Sequence, residues 1–210
     1  HAGGKFGTDT YTVSGGLHGV GISVVNALSS WLVLEILRDG KCHRQRFAAG
    51  QKVSELEVVG DAEGTGTSIH FMPDPEIFDS DARIDYGRLA RRLRQLAYLV
   101  AGLRIEVDDT REANSNVFYD EGGLAAFIGH VNRQRPPLHP DPIVLSGEDR
   151  GIAVEVSMQW TSLYAEDLYS FVNTIRTPDG GTHVDGLRRG LMRAVKTMGE
   201  DLGRADELTR

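Results

Sequence analysis

The sequence of 210 residues lacks the features that would assign it to a membrane or secreted class. It contains a single cysteine, Cys42, so no disulfide can form within the chain, and this usage indicates a reducing compartment. No apolar run approaches the roughly 18 residues that a membrane span needs, and no signal-peptide pattern opens the chain. We therefore expect a cytoplasmic protein without a membrane partner.

Positive charge is also scarce. The formal net charge is −7, and neither half of the chain carries an excess of basic residues. This balance excludes a whole-chain basic footprint for nucleic acid, so any contact with DNA must come from a local patch. Hydrophobic residues at 40% and charged residues at 25% are ordinary values for a globular protein, and the length suits one large domain or two small ones.

Glycine, by contrast, is concentrated near the beginning of the chain. The stretch "VSGGLHGVG", residues 13–21, holds four glycines and leads into an apolar run that predicts a short, largely buried helix. Glycines let a ligand approach the backbone, and a helix N-terminus adds N–H donors and a positive dipole end. The pattern favours a phosphate site, although a plain structural glycine turn remains an alternative.

Two familiar phosphate loops are absent from this sequence. A Walker loop fails because Phe6 follows Gly4 and Lys5, and the dinucleotide fingerprint fails because Val24 occupies the position of its third glycine.

The rest of the chain alternates strand and helix patterns. "RDGK" between two apolar runs predicts a hairpin, and "GTGTSIHFMP" predicts a strand that ends at Pro73. Residues 85–101 have a helical period, with Gly102 as the C-cap and arginines that we expect on a solvated face.

The later segments predict a smaller, β-rich unit. "GGLAAFIGHVN" favours a helix, and "IAVEVSMQW" and "DLYSFVNTIR" favour strands. "PDGGTHVDGLRRGLMRAV" predicts a glycine turn that feeds a helix. The polar stretch 109–122 suits a boundary between an α/β unit and a following α+β unit.

A longer pattern connects these segments to a known family. "HAGGKF" followed by "YTVSGGLHGVGISVVNALS" resembles the ATP lid of the type II DNA topoisomerase ATPases, which belong to the GHKL family. The resemblance continues in the same order through "DGKCHRQRF", "GTGTSIHFMPD", "VEVSMQW" and "FVNTIRTPDGGTHVDGLRRGL". Within the family, the sequence looks more like the gyrase B branch than like topoisomerase IV. A non-topoisomerase GHKL nucleotide-binding module is a further alternative.

The resemblance implies a fold and a domain order. Residues 1–120 correspond to the C-terminal part of a GHKL (Bergerat) α/β sandwich with its ATP lid. Residues 121–210 correspond to part of a ribosomal-S5-like α+β transducer domain.

It also implies site residues. The lid residues that match the family's ATP-binding positions, together with a threonine under the adenine, are Gly4, Lys5, Tyr11, Gly15, Gly16, Leu17, His18, Gly19, Val20, Gly21 and Thr67. In the family, the cavity between two transducer domains admits DNA, so Arg188 is a candidate for facing a phosphate backbone, and a solvated surface arginine is the alternative.

The implied activity is ATP-driven DNA strand passage and negative supercoiling. The implied cofactors are ATP and Mg²⁺, and the implied partners are the DNA gyrase A protein, a second copy of the B protein in an A2B2 assembly and double-stranded DNA. The family's glutamate base, its Mg²⁺-holding asparagine and its adenine-reading aspartate have no match in this chain. We therefore expect an internal fragment without catalytic residues or metal ligands, which does not hydrolyse ATP by itself.

Overall fold

A computed structural model describes residues 19–79 and 82–205. The chain forms two compact units, which divide between Asp85 and Tyr86. The family-domain boundary expected after residue 120 stays a prediction.

The first unit is an antiparallel sheet that follows a short helix. Strand β1 lies between β2 and β5, and β2 also pairs with β3 and β4. The elements are α1 (Gly21–Ala27), β1 (Ser29–Arg38), β2 (Lys41–Ala48), β3 (Gln51–Lys52), β4 (Glu57–Asp61) and β5 (Gly66–Pro73).

The hairpin predicted from "RDGK" is confirmed. Arg38 pairs with Lys41, so Asp39 and Gly40 alone form the loop, and both have positive φ, 53° and 74°. A type I′ turn requires positive φ at both central positions, and its twist matches that of the flanking strands. The strand predicted to end at Pro73 is also present as β5.

Helix α1 is where it was expected, but the prediction that it is largely buried is wrong. None of its residues is buried, and Val20, Ile22 and Val24 are 39%, 37% and 49% exposed. The apolar residues surround the helix instead of forming one stripe, so packing against β1 covers only part of them.

The second unit combines helices with hairpins. Each strand that the structure describes here pairs only with its neighbour along the chain. The elements are α2 (Tyr86–Leu99), β6 (Ile105–Asp109), β7 (Asn114–Phe118), α3 (Gly123–Val131), β8 (Ile143–Asp149), β9 (Ile152–Met158), β10 (Phe171–Val172), β11 (Ile175–Arg176) and α4 (Thr182–Asp201).

The core of this unit forms where α2 packs on the β6–β7 hairpin. Ala90, Ala97 and Phe118 are buried together, and Tyr86 and Leu93 pack against them. The predicted helix is confirmed, whereas the polar stretch 109–122 contains a strand that supplies the core residue Phe118.

Two expectations about this unit are wrong. "DLYSFVNTIR" is not one strand, because Asn173 and Thr174 have φ of 46° and 69° and form a tight turn between β10 and β11. The arginines of α2 do not all face solvent, since Arg92 donates from Nη2 to the Thr174 carbonyl at 2.9 Å. Arg94 places its guanidinium carbon 5.2 Å from the Phe118 ring centroid.

The glycine turn before the last helix is confirmed. Gly180 and Gly181 have φ of 74° and 144°, and α4 begins at the next residue. A Cβ added to Gly181 would lie 3.1 Å from two atoms of the His183 ring. No helix within residues 19–79 and 82–205 has the length and apolar character that a bilayer crossing requires.

Candidate functional site

The described part of the predicted phosphate site is the entry to α1. Gly19 is buried and has φ of 61°, and Val20 is the N-cap residue. Gly21 is the first helical residue. The backbone therefore turns through a conformation that suits glycine and then enters the helix.

Among the described residues, no side chain forms a capping hydrogen bond at this helix end. Val20 makes no side-chain capping bond, and the first turn contains no acidic residue. Because the first N–H groups of a helix have no partner within the helix, they remain available as donors to an anion. Helix α1 has only seven residues, so its dipole is small. Its backbone N–H groups would therefore contribute more to anion binding than the dipole does.

Space above Gly21 is open. A Cβ built on this residue would meet no atom of the described residues within 4 Å, and its φ is not positive. Neither packing nor backbone strain in the described chain therefore requires glycine here. An approaching ligand is a physical reason for leaving the side chain out.

Thr67 lies in the same unit, on β5. It pairs with Ile36 of β1, the strand that directly follows α1, and it is exposed. The sheet thus connects the helix entry to the predicted adenine-contacting position. The other predicted ATP-binding residues lie outside the described residues; they are Gly4, Lys5, Tyr11, Gly15, Gly16, Leu17 and His18.

Arg188, the predicted DNA-facing residue, belongs to the second unit. It lies in α4 with an exposed side chain, and its Nη2 donates to Glu166 Oε1 at 2.7 Å. The hydrogen bond to Glu166 raises the pKa of Arg188, so the guanidinium stays charged. An exposed pair of this kind contributes little to stability and can exchange Glu166 for another anion.

The Asp109–Arg111 pair has a structural role in the turn between β6 and β7. The Asp109 carboxylate accepts bonds from the Arg111 side chain and backbone, and the side-chain bond is the main reason that its pKa falls to about 2. Among the described residues, no group of three His, Cys, Asp or Glu could hold a metal ion.

Sequence reasoning missed one group of side chains. Arg91, Arg94, Gln95 and Tyr98 line a cavity in the second unit. Their spacing of three, four and seven residues places them on one face of α2, which was the available signal. Treating the arginines as a solvated face concealed it.

Comparison with known proteins identifies the family. The DNA gyrase B family profile matches residues 123–208. The DNA gyrase B protein of Halalkalibacterium halodurans is 50% identical over 196 residues, which cover 93% of this chain and 31% of that protein. A Streptococcus pyogenes DNA gyrase B protein is 47% identical over 197 residues, covering 93% of this chain and 30% of the relative.

Solved structures agree with the sequence matches. The 43K ATPase domain of Thermus thermophilus gyrase B, solved with an aminocoumarin, superposes with a TM-score of 0.79 at 39% identity. That match covers 89% of this chain and 51% of the other. The topoisomerase IV ATP-binding domain of Francisella tularensis gives 0.74 at 32% identity, covering 90% and 52%.

These neighbours confirm the mixed α/β fold of the GHKL type and favour gyrase over topoisomerase IV. The chain spans about a third of the length of the curated relatives it matches. By sequence and by fold, this chain belongs to the DNA gyrase B family.

Proposed function

We propose that this chain is the ATP-lid and transducer portion of a DNA gyrase B protein, which couples ATP binding and hydrolysis to DNA strand passage and negative supercoiling. The observation that carries the proposal is 50% identity to a gyrase B protein over 93% of the chain. Function follows from sites and not from fold alone, so the site residues need their own argument.

The lid is proposed to close its bare backbone on the terminal phosphates of ATP. The described part supports this role with Gly19 in a left-handed conformation, an uncapped helix end and open space at Gly21. N–H groups at such a position donate to phosphate oxygens without moving far.

Charge and adenine recognition are assigned to neighbouring residues. Lys5 and His18 would donate to the phosphates, and a compact ammonium on a flexible stem suits that task. Tyr11 would lie near the nucleotide. Thr67, exposed on β5, would hydrogen-bond to the polar edge of the adenine.

The second unit is proposed to pass the nucleotide state to DNA. Arg188 on α4 has an exposed guanidinium whose partner, Glu166, is 65% exposed, so a DNA phosphate can replace that carboxylate. The functional assembly would contain the gyrase A protein and a second copy of the B protein, with Mg²⁺ neutralising the triphosphate. No metal ligand is assigned to this chain.

A chimera tests the proposal directly. This chain would replace the matching segment of Halalkalibacterium halodurans gyrase B, and the product would be combined with gyrase A of that organism. We expect ATP-dependent negative supercoiling of relaxed plasmid. Size-exclusion chromatography and a thermal melt verify assembly and folding.

Two results would contradict the proposal. A folded, assembled chimera without supercoiling would exclude equivalence of the segments. A chimera that decatenates linked circles with topoisomerase IV partners, yet fails to supercoil with gyrase A, would transfer the assignment to topoisomerase IV.

A further inference from the structure

The second unit contains a cavity of about 350 Å³ between helices α2 and α3. Arg91, Arg94, Gln95 and Tyr98 line it from α2, and Phe127 lines it from α3. This volume lies at the lower end of the range for small-molecule sites, roughly 300 to 1,000 Å³. A volume of this order suits a ligand of one ring with one substituent.

The cavity is cationic. Arg91, Arg94 and Arg135 contribute guanidinium groups, and the described residues that line it include no carboxylate. Arg135 forms an ion pair with Asp167, which leaves the two α2 arginines as the main source of positive potential.

Arg94 keeps its hydrogen-bonding capacity. Its guanidinium lies over the face of Phe118, 5.2 Å from the ring centroid. A cation–π contact fixes the position of the group and uses none of its N–H donors in a hydrogen bond. The donors are therefore positioned in advance for an anion.

Gln95 is oriented as a donor. Arg92 donates to the Gln95 side-chain oxygen, which fixes the orientation of that amide. The NH₂ group carries two N–H donors that a ligand can use. An anion accepts hydrogen bonds from such a group, whereas a cation does not.

The pKa of His130, which also lines the cavity, responds to burial and to the neighbouring arginines. Burial lowers the pKa of His130, and the neighbouring Arg133 and Arg94 charges lower it further. Burial disfavours a charge of either sign, so only the contribution of the two arginines indicates a positive potential, which favours an anion.

One side of the cavity is aromatic. The ring centroids of Tyr98 and Phe127 are 5.8 Å apart, and those of Phe127 and Tyr169 are 5.3 Å apart in an edge-on arrangement. Tyr98 also lies 5.6 Å from the His130 ring. Such a wall offers contact to a flat ring.

We propose that this cavity binds a small aromatic phosphate, with its ring against Tyr98 and Phe127 and its phosphate on Arg91 and Arg94. Guanidinium forks match phosphate oxygens in pairs, which explains the use of arginine here. The site lies within the second unit and does not depend on the proposed ATP lid.

Phenyl phosphate is the probe, and isothermal titration against the 210-residue chain is the measurement. We expect saturable binding with a Kd below about 1 mM. Inorganic phosphate tests charge alone and phenol tests the ring alone, and each should bind at least ~10-fold more weakly.

Variants locate the binding. Arg91→Gln should weaken phenyl phosphate binding by roughly 10-fold or more, because it removes charge-assisted hydrogen bonds. Tyr98→Leu should reduce the advantage of phenyl phosphate over inorganic phosphate. Arg189→Gln is the matched control, since Arg189 is an exposed helical arginine that does not line the cavity.

Three outcomes would overturn the proposal. They are absence of saturable binding, equal losses in Arg91→Gln and Arg189→Gln, and binding that Arg91→Gln leaves unchanged. A thermal melt of each variant verifies that any loss occurs in folded protein.

Discussion

Gly50, in the turn after β2, lies directly against the end of helix α1: a Cβ added to it would be 3.1 Å from the Cα of Ala27. The Asn26 side chain donates to the Gly50 carbonyl at 3.4 Å, so the turn and the helix are joined twice. The position of α1 therefore depends on the turn at Gly50, which follows α1 in the sequence by two strands.

Gly50→Ala should destabilise the chain by about 1–3 kcal/mol, because φ of 77° strains alanine and the methyl group meets backbone. Urea unfolding measures the effect. Gly190→Ala is the control: that position is helical with open space around it, so alanine should stabilise by up to ~1 kcal/mol. Equal stability of the two variants would refute this account of Gly50.

The Gly21→Ala variant distinguishes an effect on ligand binding from an effect on folding stability. A methyl group here would contact none of the described residues, so the free energy of unfolding should change by less than about 0.5 kcal/mol. In the chimeric gyrase B, affinity for a non-hydrolysable ATP analogue should fall roughly 10-fold or more, equivalent to about 1.4 kcal/mol. Titration calorimetry measures this loss. Unchanged affinity would remove Gly21 from the phosphate site.

Asp109→Asn tests the turn between β6 and β7. The pKa of Asp109 is lowered from 3.8 to about 2, chiefly by the Arg111 side chain, so the unfolded chain takes up a proton first as the pH falls. The stabilisation is complete above pH 3.8 and is lost as the pH falls towards 2. The stability difference between wild type and variant should therefore shrink in acid.

Chemical denaturation at several pH values from about 5 to about 2 measures that difference. Asp149→Asn is the control, because Asp149 is an exposed carboxylate at another hairpin turn. A wild-type advantage that persists undiminished at the lowest pH would contradict the assigned role of Asp109.

Substitutions of Arg188 and of Glu166 should change DNA affinity in opposite directions. In the chimeric gyrase B, Arg188→Gln should weaken duplex binding and reduce the salt slope by about 0.9 for one lost phosphate contact. Glu166→Gln should strengthen binding, because it frees the guanidinium. Fluorescence anisotropy across a salt series measures both. Arg150→Gln removes an exposed charge elsewhere, and an equal slope change there would exclude a specific role for Arg188.

Local signals in the sequence predicted much of the fold. Asp39 and Gly40 mark their hairpin because positive φ at both positions is a local requirement. Helix α2 was readable because its apolar residues repeat at helical spacing. The glycine turn before α4 could be predicted because the positive φ of Gly181 is a local requirement that favours glycine.

Features that depend on tertiary neighbours were not readable. The exposure of Val20 and Ile22 depends on how much of α1 the sheet covers, which no local pattern reports. Arg92 donates to the Thr174 carbonyl, 82 residues away in sequence. Local sequence periodicity could not predict this hydrogen bond. For the site, the glycine pattern found the helix entry, whereas the arginine and aromatic cavity required both α2 and α3.

The conformation of Gly181 has a consequence for reading variation among relatives. Its φ of 144° strains any residue with a side chain, and a Cβ would come within 3.1 Å of the His183 ring, before any ligand is considered. The need to maintain the turn that orients α4 would be enough to conserve Gly181. Invariance at position 181 would therefore report helix geometry, whereas invariance at Gly21, where the described residues leave room for a methyl group, would report what the protein binds.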